Sequence, residues 1–260
     1  MSMQELLHRN RDKAARVAGL LYLIVVVAGM FSLAYVPSQL GLSGDAAATL
    51  GKLEAGESLL RLGIAASIVC YISFLLLPLA LYRLLGETGR VLAVLMVAFA
   101  AASVPLSFAN LLNRLDTLSL LESPGLLQAL DSSQRSAQAM LSLEAYGNGI
   151  LLSEIFWGLW LLPFGYLVFK SGFLPRLLGV LLLAGGFGYL ADVFGNLLVP
   201  GYPSSPLAGL VRLPAAVGEI GSGLWLLVMG ARPMFGGRRV DAAEASSSGY
   251  ADNRKGRPAP

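Results

Sequence analysis

Residues Glu154–Leu162 read EIFWGLWLL, and residues Glu219–Leu227 read EIGSGLWLL. Seven of the nine positions agree, and each copy sets one carboxylate inside an otherwise apolar run. The first copy continues as PFGYLVFK to Lys170, and Ala145–Phe169 carries no charge besides Glu154. A helix rises 1.5 Å per residue, so crossing a hydrocarbon core of about 30 Å takes about 20 mainly apolar residues. The stretch therefore reads as a membrane-spanning helix. Its carboxylate reads as a group turned toward protein or a wet cavity, because a charge at the bilayer centre costs about 3 kcal/mol on insertion scales.

Working outward, five more stretches meet the same length: Ala14–Val36, ending before Pro37, then Leu59–Leu84, Val91–Leu112, Leu177–Val199 and Leu210–Gly230. The last is the least regular, interrupted by Arg212, Pro214 and Glu219. The first exceeds a signal-peptide core and no clear A-x-A site follows, so it is expected to stay as a helix. The chain is 13% charged and 55% hydrophobic, with mean hydropathy +0.67. Soluble domains average about 25% charged residues, so this chain has too little charge to coat a water-facing surface. The expected fold is an all-α integral membrane protein: a polar segment at 1–13, six transmembrane helices over 14–232, and a disordered tail at 233–260.

Charge is distributed by side. Fourteen of the nineteen Lys and Arg residues precede the first stretch, flank the short turns LGETGR and KSGFLPR, or follow the sixth. Lys52, Arg61, Arg114, Arg135 and Arg212 remain for the other side. The positive-inside rule then places both termini in the cytoplasm. The basic pI reports topology and contact with anionic lipid, and no nucleic-acid module is present. The outer connections Pro37–Ser58 and Glu122–Glu144 are long enough for a short helix each, the second capped by Asp131 or Ser132.

The six helices read as three in-out-in hairpins. Arg16, Arg90 and Arg176 each open an R-x-x-small-x-L pattern at the start of an odd-numbered helix. Pro78 aligns with Pro163 in the even-numbered ones. An even number of helices per unit keeps every copy in one orientation, which would make this a parallel internal repeat. Twelve glycines in the last three helices, Gly185 and Gly223 among them, point to close backbone packing. Pro78, Pro105 and Pro163 are expected to kink their helices.

Helical rise places Glu154, Asp192 and Glu219 at similar depth, roughly 20–24 Å above the basic edge. Arg61, Arg114 and Arg212 fall near the opposite boundary, with Asn148 and Asn196 in the same zone. The expectation is one outward-facing polar cup ringed by the three carboxylates and rimmed by the three arginines, with Trp157 beside it. A structural network fixing helix register is the bland reading of these charges. An ion or ligand site comes next, and catalysis last. Trp160, Trp225 and Cys70 read as core packing, and Tyr22 and Tyr71 as packing or interface residues. With one cysteine and one histidine, His8, there is no disulfide and no set for a cysteine zinc site or intramembrane haem, and no cofactor is implied. Phosphate-loop, H-E-x-x-H and G-x-S-x-G motifs are missing, so an enzyme is the less favoured class.

The stretches RDKAARVAGLLYLIVVVAGMFSLAYVPSQL, ESLLRLGIAASIVCYISFLLLPLALYRLL, EIFWGLWLLPFGYLVFKSGFLPRLLGVLLLAGGFGYLADVF and LPAAVGEIGSGLWLLVMG together resemble the bacterial membrane family called domain of unknown function 4386. The resemblance spans about Arg11 to Arg232. It implies a multi-spanning protein of the bacterial inner membrane and carries no assigned chemistry. Three functions follow in order: a binder or transporter of a small molecule or ion, a structural protein assembling with itself or a partner, and an intramembrane lipid-modifying enzyme. The partners expected are the bilayer, a small-molecule, ion or lipid ligand, and a second copy of the chain.

Overall fold

The computed structural model describes residues 3–40 and 46–231. The expected disordered tail, 233–260, lies outside these residues. Among them are ten α-helices and no strand: α1 (Met3–Met30), α2 (Val36–Leu40), α3 (Ala46–Ala55), α4 (Glu57–Leu85), α5 (Arg90–Glu122), α6 (Pro124–Ala129), α7 (Ser132–Ser171), α8 (Arg176–Leu198), α9 (Pro206–Leu210) and α10 (Leu213–Met229). Six helical units are long and apolar enough to cross a membrane, among the described residues. The protein is a multi-pass membrane protein. Each spanning helix packs against the next, α1 on α4, α4 on α5, α5 on α7, α7 on α8 and α8 on α10, and α10 closes the ring onto α1. Neighbours touch all the way round, so the ring singles out no particular hairpin pairing.

Small residues set the tightest contacts. Gly158 and Gly165 on α7 are two helical turns apart, as are Gly179 and Gly186 on α8. A Cβ on Gly158 would lie 2.8 Å from the Gly186 carbonyl, and one on Gly165 2.9 Å from the Gly179 carbonyl. Two antiparallel backbones therefore meet at two levels, the packing that lipid-embedded helices reach through small residues. Gly185 meets Ala215 of α10 in the same way, and Gly223 faces Tyr22 of α1. The contacts of Gly185 and Gly223 thus lie inside the bundle. Within the bundle Trp160 stacks on Phe164 at 5.1 Å between centroids, with Phe74 edge-on to Trp160 at 5.2 Å.

Four helix limits differ from those read off hydropathy. First, the opening span does not stop before Pro37. A π-helical turn, Phe31–Tyr35, carries it on to Leu40. In that turn the Val36 N–H bonds to the Phe31 carbonyl, and Pro37 has no N–H to give the Ser32 carbonyl. Second and third, α5 runs ten residues past Leu112 and α7 begins at Ser132 rather than near Ala145. Hydropathy marks where lipid begins, not where a helix begins, and Ser132–Glu144 contains no Gly or Pro to interrupt it. Asp131 caps α7 through a capping box with Gln134, and the Gln134 N–H holds the Asp131 carboxyl below the usual carboxylate range. Fourth, the sixth span is broken at Val211–Arg212, between α9 and α10. Pro214 is tolerated because it falls in the first turn of α10, where its missing N–H would have had no helical partner. The helices α5 and α7 project beyond the lipid-sized core at the end that also bears α3, α6 and α9, called here the capped end. Arg135 ties α7 to α3 through Glu54 at 3.3 Å.

Candidate functional site

The site grows from two glycine contacts. Gly188 of α8 has no side chain, and the Val211 carbonyl fills the place its Cβ would take. The break between α9 and α10 therefore lies directly on α8, one turn from Asp192. One turn along α7, Gly158 holds that helix against α8 and brings Glu154 alongside. Arg212, next to the break, reaches both acids: its Nη1 lies 3.4 Å from Glu154 Oε1 and 3.9 Å from Asp192 Oδ2. Its Nε donates to the Ala208 carbonyl at 3.2 Å. Both carboxylates are buried, whereas the guanidinium side chain is 46% exposed. The Tyr202 hydroxyl donates to Asp192 Oδ1 at 3.1 Å, and Asn196 Nδ2 donates to the Asp192 carbonyl at 2.8 Å and to Oδ2 at 3.3 Å. Partial burial, followed by this hydrogen bond, raises the Tyr202 phenol above its ordinary value.

Two chambers adjoin the Arg212 cluster. The upper one, toward the capped end, has a volume of about 500 Å³, and its wall includes Arg114, Glu144, Tyr146, Glu154, Trp157 and Arg212. The lower one, of about 530 Å³, is walled by Tyr22, Cys70, Tyr71, Phe74, Trp160 and Glu219 among others. Leu33, Trp157, Tyr189 and Arg212 line both. Each volume is in the range of small-molecule pockets. Trp157 is fixed from behind, its Nε1 donating to Ser103 Oγ at 3.1 Å and its ring meeting Tyr189 edge-on.

Arg114 enters for a reason that begins at Pro37. Its Nη2 donates to the Ser32 carbonyl at 3.2 Å, the carbonyl that the π-turn and the proline leave without a backbone donor. Its guanidinium lies 4.2 Å over the Tyr146 ring. Arg114 is 3% exposed, and its Nε and Nη1 have no hydrogen-bond partner among the described residues.

The residues expected in one cup are distributed more widely. Glu154, Asp192, Arg212, Asn196 and Trp157 gather round the salt bridge, with Arg114 across the upper chamber. Asp192 and Asn196 stand behind Arg212 and line neither chamber. Glu219 faces the lower chamber, seven residues past Arg212 and therefore about 10 Å along the helix. Arg61 is exposed, paired with Glu57 and Glu122, and lines neither chamber. Asn148 is exposed on α7. The tyrosines at 22, 71, 146 and 202 were not visible as site residues. Only Tyr189, three residues before Asp192, shared a helical face with an acid.

The family model described as Domain of unknown function (DUF4386) matches residues 17–230. An uncharacterised protein of Archaeoglobus fulgidus is 33% identical over 88 residues, which is 34% of this chain and 50% of that protein. The match thus spans half the length of that relative. No solved structure matches.

Proposed function

The chain belongs to the family described as Domain of unknown function (DUF4386), and we propose that it binds or transports a small molecule or ion entering through the upper chamber. The observation that carries this reading is the Arg212 bridge to Glu154 and Asp192, set where two cavities of ligand size adjoin. A bridge made only for packing has no need of a void on either side, since protein interiors otherwise close to near-crystalline density. The distribution of Lys and Arg supports an orientation with both termini in the cytoplasm and the upper chamber facing out, in a bacterial inner membrane. Assembly with a second copy or another chain is the alternative. A lipid-modifying activity has no sequence motif in its support.

The test is mass spectrometry of the intact protein released gently from its own membrane. Wild type is expected to retain a small molecule that Glu154→Gln, folded to the same extent, retains at least tenfold less. Bare protein in both cases, or equal retention, refutes the reading. A co-purifying second chain supports the assembly alternative instead.

A further inference from the structure

We propose that the lower chamber is a site for an organic ammonium ion, which assigns a ligand class to the binding reading above and rests on it. Six aromatic rings wall this chamber: Tyr22 of α1, Tyr71 and Phe74 of α4, Trp157 and Trp160 of α7, and Tyr189 of α8. Ring faces carry negative quadrupole density and attract a desolvated cation within about 6 Å of a centroid.

Two ionisable side chains face the chamber, Glu219 and Arg212. Arg212 is already matched by two carboxylates. Glu219 has neither hydrogen bond nor ion pair among the described residues. The Tyr22 hydroxyl is buried, with its residue 1% exposed, and it too has no hydrogen-bond partner among the described residues. An unmatched carboxylate, a free phenolic oxygen and a wall of six aromatic residues share one complement: a positive charge wearing an apolar coat. A metal ion is a poor fit, because calcium takes six to eight oxygens and this wall has one carboxylate. An anion would face Glu219 and the negative faces of the rings.

The test uses the full chain in lipid nanodiscs, with benzyltrimethylammonium as probe and its uncharged isostere neopentylbenzene as comparator. Tryptophan emission is the readout. The expected result is saturable quenching by the ammonium, weakened at least tenfold by Glu219→Gln, with no saturable response to the isostere. Should Glu219→Gln not fold, Phe74→Leu replaces it, and the loss of one ring is expected to weaken binding about twofold to thirtyfold. Equal binding of the isostere, or quenching indifferent to whichever variant folds, overturns the cation assignment and leaves the broader binding reading standing. No saturable binding of either compound also overturns it, and the retained-ligand measurement then decides the broader reading separately.

Discussion

Gly158→Ala is a one-methyl test of how the site is held. The new Cβ would lie 2.8 Å from the Gly186 carbonyl oxygen and 3.1 Å from Leu190 Cγ, whereas ordinary contact begins at 3.4 Å. The leucine has other rotamers, but the carbonyl belongs to a helix and cannot turn aside. The two backbones must therefore part by about 0.6 Å at that level, the difference between the clash and ordinary contact. Overpacking of this kind costs about 1–3 kcal/mol, and the better helix propensity of alanine returns at most about 1 kcal/mol. The expected net loss is about 0–2 kcal/mol against wild type, and about 1–3 kcal/mol against a control that gains the same propensity. The separation also falls one turn from Glu154, while Arg212 stays with α8 and Asp192 through the Gly188–Val211 contact, so the 3.4 Å Arg212–Glu154 arm of the bridge should open first. Gly147→Ala is the control, because its Cβ would meet nothing within 4 Å. The assay is thermal unfolding in one detergent, with retained ligand measured in parallel. If Gly158→Ala is as stable as Gly147→Ala, the close backbone contact is not what holds α7 to α8, and the account of how Glu154 meets Asp192 fails.

Further outcomes follow from the same geometry. Arg212→Met should lower stability by about 2 kcal/mol, less than the few kcal/mol of a fully buried pair because the guanidinium is half exposed. Adding Glu154→Gln and Asp192→Asn to that variant should restore most of the loss, and a triple variant less stable than the single one contradicts this. Asp131→Ala should speed hydrogen exchange over the first turn of α7. In wild type the cap's contribution is present above the ordinary carboxylate pKa and disappears as pH falls through the lowered value, so protection at residues 132–135, taken relative to the intrinsic exchange rate at each pH, should fall only in acid. Equal protection across that range counts against the cap. For orientation, Ser133→Cys in a Cys70→Ala background should react with an impermeant maleimide on intact cells, and Thr88→Cys only after permeabilisation. The opposite pattern inverts the proposed topology.

The apolar runs and their lengths were enough to establish six spanning helices, since partition into lipid depends on a local sum of side-chain transfer energies. Asp131 was legible as a cap because a cap is a contact within one turn. The glycines announced tight packing for a similar reason: a missing Cβ is a property of the residue alone.

The chain alone left open which way each helix turns about its own axis. That rotation left Arg61 and Asn148 outside the cavities and brought Tyr22 and Tyr71 to the wall of the lower chamber, while the level at which α10 sits against α8 separated Glu219 from Glu154 and Asp192. It is fixed by where neighbouring backbones interlock, as at Gly158 with Gly186 and Gly188 with the Val211 carbonyl. Arg114 depends on a still longer route, through a π-turn on another helix that leaves the Ser32 carbonyl in need of a donor. Hydropathy is summed along one strand of chain, whereas a binding wall is assembled from side chains of several, and only their packing selects which faces meet.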